Sequence, residues 1–418
     1  MTRRSARALA AVCFIAIWAS AIYSQDRIRD LKTTVILISI DGMRSDYLEL
    51  HKPPALNRIA AEGTRAKWMQ PAYPTKTFPN HYTIATGLYP DNHGLIENNM
   101  YDAERDKVFG LHDRDAVQDP AWWSGEPIWV TATKAGRVAG AYFFPGTETL
   151  IQGIAPKYWK QYDGKVPNEE RVDTILSWFE LPAEERPTII TMYFSDVDDA
   201  GHAHGPESAE TRDALLKVDG SIERLVKGLK AIGADKKTNL IIVSDHGMAP
   251  FKWRDAVVLD RLFDANDARR IFWTGEFTQI FPKPGREDAI YEAIRSKLPP
   301  TAKIYRKHEF PARFKFGKAK RIAPLVVVPE VGTIITNKER YARYEKEGTL
   351  DKLRGGHGYD NAHPLMRASF IGYGPAFKKG YLSEPFESVD VYNLMARILK
   401  LKPAPNDGDF NRIKAVLR

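Results

Sequence analysis

The sequence predicts an α/β domain with an open, mostly parallel sheet and helices on both faces. Three observations lead there. Apolar, β-rich runs end at a polar residue and pass into a loop or helix; amphipathic stretches of helical period lie between them; and 418 residues are enough to bury a sizeable core. Hydrophobic residues make up 43% and charged residues 27%, the balance of a globular chain.

The strand runs are Thr34 to Ile40, Val138 to Phe144, Thr188 to Phe194, Leu240 to Ser244 and Ser369 to Tyr373. Helices are expected over Ala55 to Glu62, Asp213 to Ile232 and Val389 to Leu399. From about Lys252 to Gly348 the alternation weakens, Lys and Arg are frequent, and Pro282, Pro284, Pro299, Pro300 and Pro311 punctuate the chain. A cap or insertion subdomain (about 252–348) is expected there, inside one domain running from 22 to 418.

At the amino terminus, Arg3, Arg4 and Arg7 precede an apolar run from Ala8 to Trp18, followed by Ala19, Ser20 and Ala21. This is the pattern of a secretory signal peptide over 1–21, cut after Ala21. The run is shorter than the ~20 residues that span a bilayer, so no stable membrane anchor is expected; an uncleaved anchor is the alternative. Cys13, the single cysteine, lies in that run, so the mature protein would fold without disulfides. An exported, cysteine-free chain suits a bacterial periplasm.

Formal charge is +8, and losing the three signal arginines leaves a mild positive excess that favours anionic substrates. No concentrated basic stripe is present, which argues against a dedicated nucleic-acid partner. Oligomeric state is not encoded in any feature of this kind.

Chemistry-bearing residues collect where the strand runs end. Asp41 follows TTVILISI and precedes Gly42; Ser195, Asp196 and Asp198 follow TIITMYF; Asp245 and His246 follow LIIVS. In open α/β sheets the carboxyl edge is where ligands bind. One Asp after a strand is ordinarily a turn former or helix cap, but three such clusters, two with histidine, are poorly explained as independent caps.

Asp198 and His202 are four apart, so one helical turn puts them on the same face. His357 lies in GGHGYDN, where glycines let the backbone bring an imidazole close to a crowded centre. Asp41, Asp198, His202, Asp245, His246 and His357 thus form an oxygen and nitrogen donor set that suits zinc, enough for two sites that each keep an open position. The nucleophile candidate is Thr77 in PTKTFPNHYTIATGLYP, placed at a helix start where the dipole favours anions. Threonine is a weak nucleophile at neutral pH, and a neighbouring zinc would activate its hydroxyl.

The strings ISIDGMRSDY, YPTKTFPNHYTIATGLYPDNHGLIENNMYD, DVDDAGHAHGP, VSDHGM and GGHGYDN resemble the nucleotide pyrophosphatase/phosphodiesterase family of the alkaline phosphatase superfamily. They occur in the family's order from Ile38 to Asn361. The resemblance implies an alkaline-phosphatase-like fold and two Zn²⁺ per chain. It also implies Thr77 as nucleophile. Asp41, Asp245 and His246 would hold the zinc shared with Thr77, and Asp198, His202 and His357 the other. It implies that Asn98 steadies a phosphate oxygen, and that Phe78, Tyr162 and Tyr193 flank a nucleobase.

One departure is Asp196 and Val197, where the family often has Glu and Pro. The expected form is a catalytic domain without the cysteine-rich and nuclease-like domains of the large animal members. His81, His93, His204 and His363 are left as supporting or structural residues.

The activity implied is cleavage of phosphodiester or phosphoanhydride bonds through a phosphothreonine intermediate, releasing nucleoside 5′-monophosphates. The substrate would be a nucleotide or another small phosphodiester. The rival readings are a phospholipid-cleaving phosphodiesterase of the same family and an alkaline phosphomonoesterase. A non-catalytic binding protein predicts a lost donor or nucleophile, and none is missing.

Overall fold

The computed structural model describes Ile28 and residues 30–418, so the expected signal segment 1–21 lies outside the described residues. Its centre is an eight-stranded sheet of β1 (Thr34–Ile40), β2 (Thr64–Ala66), β3 (Ala139–Tyr142), β4 (Tyr158–Lys160), β5 (Ile189–Phe194), β6 (Thr238–Val243), β7 (Phe370–Tyr373) and β8 (Tyr381–Ser383). Their spatial order is β8-β2-β7-β6-β1-β5-β3-β4.

All adjacent pairs run parallel except those of β7, which is antiparallel to both β6 and β2. The sequence reading grouped Ser369 to Tyr373 with the parallel runs, and the reversal has a topological cause. The chain leaves β6 at its carboxyl end and re-enters the sheet from that same end, with Phe370 opposite Val243, so the next strand must run back.

Every residue of β1 is buried, as a strand covered on both faces requires. Val35 and Leu37 pack with Tyr82 and Ile84 of α2 (Thr77–Thr86), Trp129 of α3 (Ile128–Lys134) and Leu394 of α7 (Asp390–Leu399). Ile36, Ile38 and Ile40 face the other way, onto α1 (Pro54–Glu62), α4 (Asn168–Trp178) and α6 (Ala209–Ala231) through Leu56, Ile59, Val172, Ile175 and Leu225. Between α4 and α6 lies α5 (Asp196–His204). Helix α6 begins earlier than its apolar pattern suggests, because the Ser208 hydroxyl accepts from Thr211 N–H (3.1 Å) and caps it.

Within the long excursion after β6, the strands Ala268–Phe272, Thr278–Pro282, Leu325–Pro329 and Ala302–Arg306 form, in that order, a separate antiparallel sheet. Ile280, Ile290, Ile294, Ile304, Leu325 and Val327 belong to an apolar cluster of its own. Among the described residues no helix is long and apolar enough to cross a membrane.

Helix α1 is capped from outside. Its own N-cap position is Pro53, which offers no side-chain acceptor, and the buried Asp219 of α6 accepts instead from Ala55 N–H (2.9 Å) and Leu56 N–H (2.7 Å). Asp219→Ala is expected to lower the unfolding free energy by ~1–3 kcal/mol, read from urea denaturation; an unchanged midpoint would show that α1 does not depend on this cap.

Candidate active site

Strand order explains why distant residues meet. β1 lies between β5 and β6, so the segments leaving their carboxyl ends are neighbours. Asp41 follows β1, Asp198 lies in the first turn of α5 just after β5, and Asp245 and His246 follow β6. One turn along α5, His202 brings Nε2 to 3.2 Å from Asp198 Oδ2. His357 directly follows the strand Arg354–Gly356, which pairs with Ala249–Phe251.

Two glycines permit this crowding. Gly42 has φ +68°, and a Cβ there would sit 3.2 Å from Asp198 Cα; Gly358 has φ +119°, and a Cβ there would fall 2.4 Å from Lys76 Cε.

The six residues fall into two groups of convergent donor atoms, Asp41, Asp245 and His246 in one, Asp198, His202 and His357 in the other. The groups adjoin, since the His246 and His357 rings stack with centroids 3.6 Å apart. Each imidazole is oriented by a backbone carbonyl. Nδ1–H donates from His202 to Gly355 O (2.8 Å), from His246 to Gly247 O (2.9 Å) and from His357 to Thr75 O (2.9 Å). That turns Nε2 of all three toward the centre. Burial opposes a charge on His202, but Asp198 beside it raises the ring to about 9, so His202 gives up its Nε2 proton when a metal binds.

A cation fits what remains. Asp41 Oδ1, Asp198 Oδ1 and Asp245 Oδ2 are buried without a hydrogen-bond partner, one oxygen from each carboxylate. His202 Nε2 and His357 Nε2 lie 3.1 Å apart, close enough to share a proton or converge on one cation. Charge tells the same story. Burial, then the charges of Asp245 and Asp198, push Asp41 well above the usual carboxylate range. Burial and Asp198 raise Asp245 to about 8. Burial works against the charge of Asp198 as well, but His202 and His357 beside it hold its carboxyl below the ordinary range. His357 and His246 are pushed down, chiefly by burial, and so favour the neutral form a metal requires.

Thr77 is the first residue of α2, with Lys76 at the N-cap, and its Oγ1 lies 3.5 Å from His246 Nε2. Asn98 is fixed by Phe78 N–H, which donates to Asn98 Oδ1 (2.8 Å) and leaves the Nδ2 donor for the cavity. That cavity, about 300 Å³, is lined by Asp41, Thr77, Phe78, Asn98, Tyr162 and Tyr193 together with Asp198, His202 and His357. Asp245 and His246 are fully buried behind it. A larger hollow of about 510 Å³ at the amino ends of the strands, bordered by Lys32, Arg137 and Lys237, contains none of these residues.

Phe78 packs against Phe109 and Trp123, and the exposed Tyr162 packs against Phe143, so both present apolar surface at the cavity. Tyr193 does something the sequence reading did not anticipate: its hydroxyl donates to Asp41 Oδ2 at 2.6 Å. His81 likewise supports the centre, with Nδ1–H donating to Thr77 O (2.8 Å) and Nε2 accepting from the Ser39 hydroxyl (2.8 Å). Its position four residues after Thr77 on one helix is the signal that finds it. The same cavity contains Arg114 and Glu148, an ion pair that sequence reasoning missed; Glu148 also accepts from Tyr162 N–H (3.1 Å).

An open sheet carrying two adjoining Asp/His groups on the carboxyl side of its central strands is the architecture of the alkaline phosphatase superfamily. Residues 35–360 match the family model described as type I phosphodiesterase / nucleotide pyrophosphatase, and the chain belongs to that family. It is 40% identical over 396 residues to ectonucleotide pyrophosphatase/phosphodiesterase family member 1 of Mus musculus, covering 92% of this chain and 42% of that one. It is 37% identical over 397 residues to venom phosphodiesterase CdcPDE of Crotalus durissus collilineatus, covering 93% of this chain and 47% of that one. The chain therefore spans less than half the length of these relatives. Among solved structures, murine ectonucleotide pyrophosphatase/phosphodiesterase 5 superposes with a TM-score of 0.86 at 34% identity, covering 92% of this chain and 100% of that one. An inactive variant of the same murine protein in complex with AMP gives 0.86 at 33%.

Burial and the charge of Asp198 raise Asp245 to about 8, and Asp41 is raised as well, so metal entry at neutral pH is expected to expel protons from the site. Calorimetric metal titration of chelator-stripped protein, in buffers of different ionisation enthalpy, is expected to show release of at least ~1 proton per chain at pH 7 and less at pH 9, with affinity falling as pH falls. Metal uptake without proton release would contradict the charge state assigned to these carboxyls.

Proposed function

We propose that the chain is a two-zinc phosphodiesterase and nucleotide pyrophosphatase that works through a phosphothreonine intermediate. The observation that carries this reading is the placement of Thr77 Oγ1, 3.5 Å from His246 Nε2, at a helix start beside two groups of donors whose carboxylates each hold an unpaired buried oxygen. The mixed carboxylate and imidazole donor set suits zinc. Bound by Asp41, Asp245 and His246 and by Asp198, His202 and His357, the two zinc ions would supply Lewis-acid charge and lower the pKa of a nearby hydroxyl or water.

The chain's own residues do the rest. Thr77 Oγ attacks phosphorus in line; the bond to Oγ forms as the bond to the leaving alcohol or phosphate breaks. Asn98 Nδ2 donates to a non-bridging phosphate oxygen as its charge grows, while the α2 N-terminus favours the anion. Water then attacks the phosphothreonine ester from the opposite side, restores the hydroxyl and releases the monoester. Tyr193 and His81 hold Asp41 and the Thr77 backbone in register. Phe78 and Tyr162 offer faces for a nucleobase, and stacking of that kind contributes ~1–3 kcal/mol per base.

The substrate class is nucleotides and small phosphodiesters, in keeping with the AMP complex of the murine relative. Residues 22–418 form the catalytic domain, with 252–348 inserted in it. Export to the periplasm with removal of 1–21 completes the reading.

Thr77→Ala is expected to abolish turnover of a chromogenic nucleotide diester while zinc content stays at that of the parent protein; full activity in this variant would end the nucleophile assignment. Asp198→Ala and His357→Ala are expected to lose metal as well as turnover. Asn98→Ala is expected to lower kcat by ~10²–10³-fold, the scale of losing one donor to a transition-state oxyanion. Product analysis over dinucleotides, nucleoside triphosphates and choline phospholipids separates nucleotide from lipid substrates.

A further inference from the structure

Behind the cavity lies a buried ion cluster that the reaction above does not use. Lys76 Nζ donates to Glu276 Oε2 at 2.6 Å and to Thr274 O at 3.3 Å, and Glu97 Oε1 lies 3.9 Å away. Lys76, Glu276 and Glu97 are nearly inaccessible, at 8%, 7% and 1% exposure, so solvent screens little of their attraction; burial raises Glu97 to about 7 although Lys76 draws it down. Glu97 Oε1 has no hydrogen-bond partner, and Lys76 is the cation that balances it. Burial opposes the ammonium, but the two carboxylates outweigh it and keep Lys76 charged.

Each member is tied to a different part of the site. Lys76 precedes Thr77 and forms the N-cap of α2, where its side chain makes no cap, so the ammonium is spent wholly on this cluster. Glu97 precedes Asn98, and its Oε2 accepts from Asn99 N–H (3.1 Å). Glu276, from the turn between the strands Ala268–Phe272 and Thr278–Pro282, backs the glycines on either side of His357. A Cβ at Gly356 would meet Glu276 Oε1 at 2.6 Å, and one at Gly358 would meet Lys76 Cε at 2.4 Å. The inserted segment thus reaches the site from behind, and among the described residues none between 252 and 348 lines the cavity.

We propose that Lys76 and Glu276 are positioning residues for the phosphoryl transfer, a buried ion pair by which the inserted segment sets Thr77, Asn98 and His357 relative to one another. This rests on the functional reading above. Misplacing a reacting group by about 1 Å costs up to ~10²-fold in rate, so a small shift of the α2 start or of the Asn98 loop is enough to register in kcat.

Single replacement leaves a buried charge alone and risks unfolding, so the deciding variant is the double one, Lys76→Met with Glu276→Gln, which removes the pair at similar volume; Glu97, which burial already raises to about 7, then takes up a proton once Lys76 no longer holds it down. Replacing both members of a buried pair is often neutral for stability. The metal-loaded double variant is expected to keep the parent's thermal midpoint and metal content, yet to lose at least ~10-fold in kcat with KM within ~2-fold. Hydrogen exchange adds a readout that needs no turnover. The Phe78 and Asn99 amides, which bond to Asn98 Oδ1 and Glu97 Oε2, are expected to exchange at least ~10-fold faster than in the parent. A folded double variant with parental kcat and parental exchange would overturn the proposal, as would a kcat loss fully accounted for by lost metal. If the parent itself turns over no diester, the functional reading fails, and exchange at these two amides still decides whether the pair positions them.

Discussion

Three aspartates crowded into one dry pocket are the constraint around which this molecule is arranged. Asp41, Asp198 and Asp245 are all at least nine-tenths buried; Asp198 opposes the charge of the other two, and Asp245 that of Asp41. In a low-dielectric interior such repulsion amounts to several kcal/mol, and no apolar packing relieves it. Only positive charge does, and the surrounding chain is organised to receive it. Three imidazoles are locked by backbone carbonyls with Nε2 turned inward, a tyrosine hydroxyl satisfies one Asp41 oxygen, and the remaining oxygens are left open.

The sheet makes this arrangement possible without strain spread through the core. Neighbouring parallel strands end at one level, so three short segments deliver their side chains to one place while apolar faces of β1 stay packed above and below. At the centre, Gly42 and Gly358 adopt positive φ and let backbone and neighbouring side chains approach closely. The inserted segment contributes through Glu276, and among the described residues none between 252 and 348 lines the cavity.

Much of this is legible in the sequence, and the reasons differ by residue. The bounds of β1 follow from a run rich in β-branched residues, and the six donors stand out because each lies at a strand end, one helical turn from such a donor, or between glycines. β6 begins earlier than its apolar run because Thr238 and Asn239 are buried polar residues. Asn239 donates to Thr34 O (3.4 Å) and accepts from Ala376 N–H (2.8 Å), which no periodicity reveals. β2, β4 and β8 are three residues each, too short to show a period. The direction of β7 is a property of the path and is absent from the local pattern. Glu276 was invisible for a related reason: nothing around it marks a function, and its partner lies 200 positions away.

Donors for the two groups are spread very unequally along the chain. The group beside Thr77 is complete by His246, whereas the other waits for His357, on the far side of the whole inserted segment. A growing polypeptide therefore displays one finished set of ligands and two thirds of another while much of the molecule is still unmade. Timing, then, is written into the order of residues: the second group of donors is completed only after the second sheet has been synthesised.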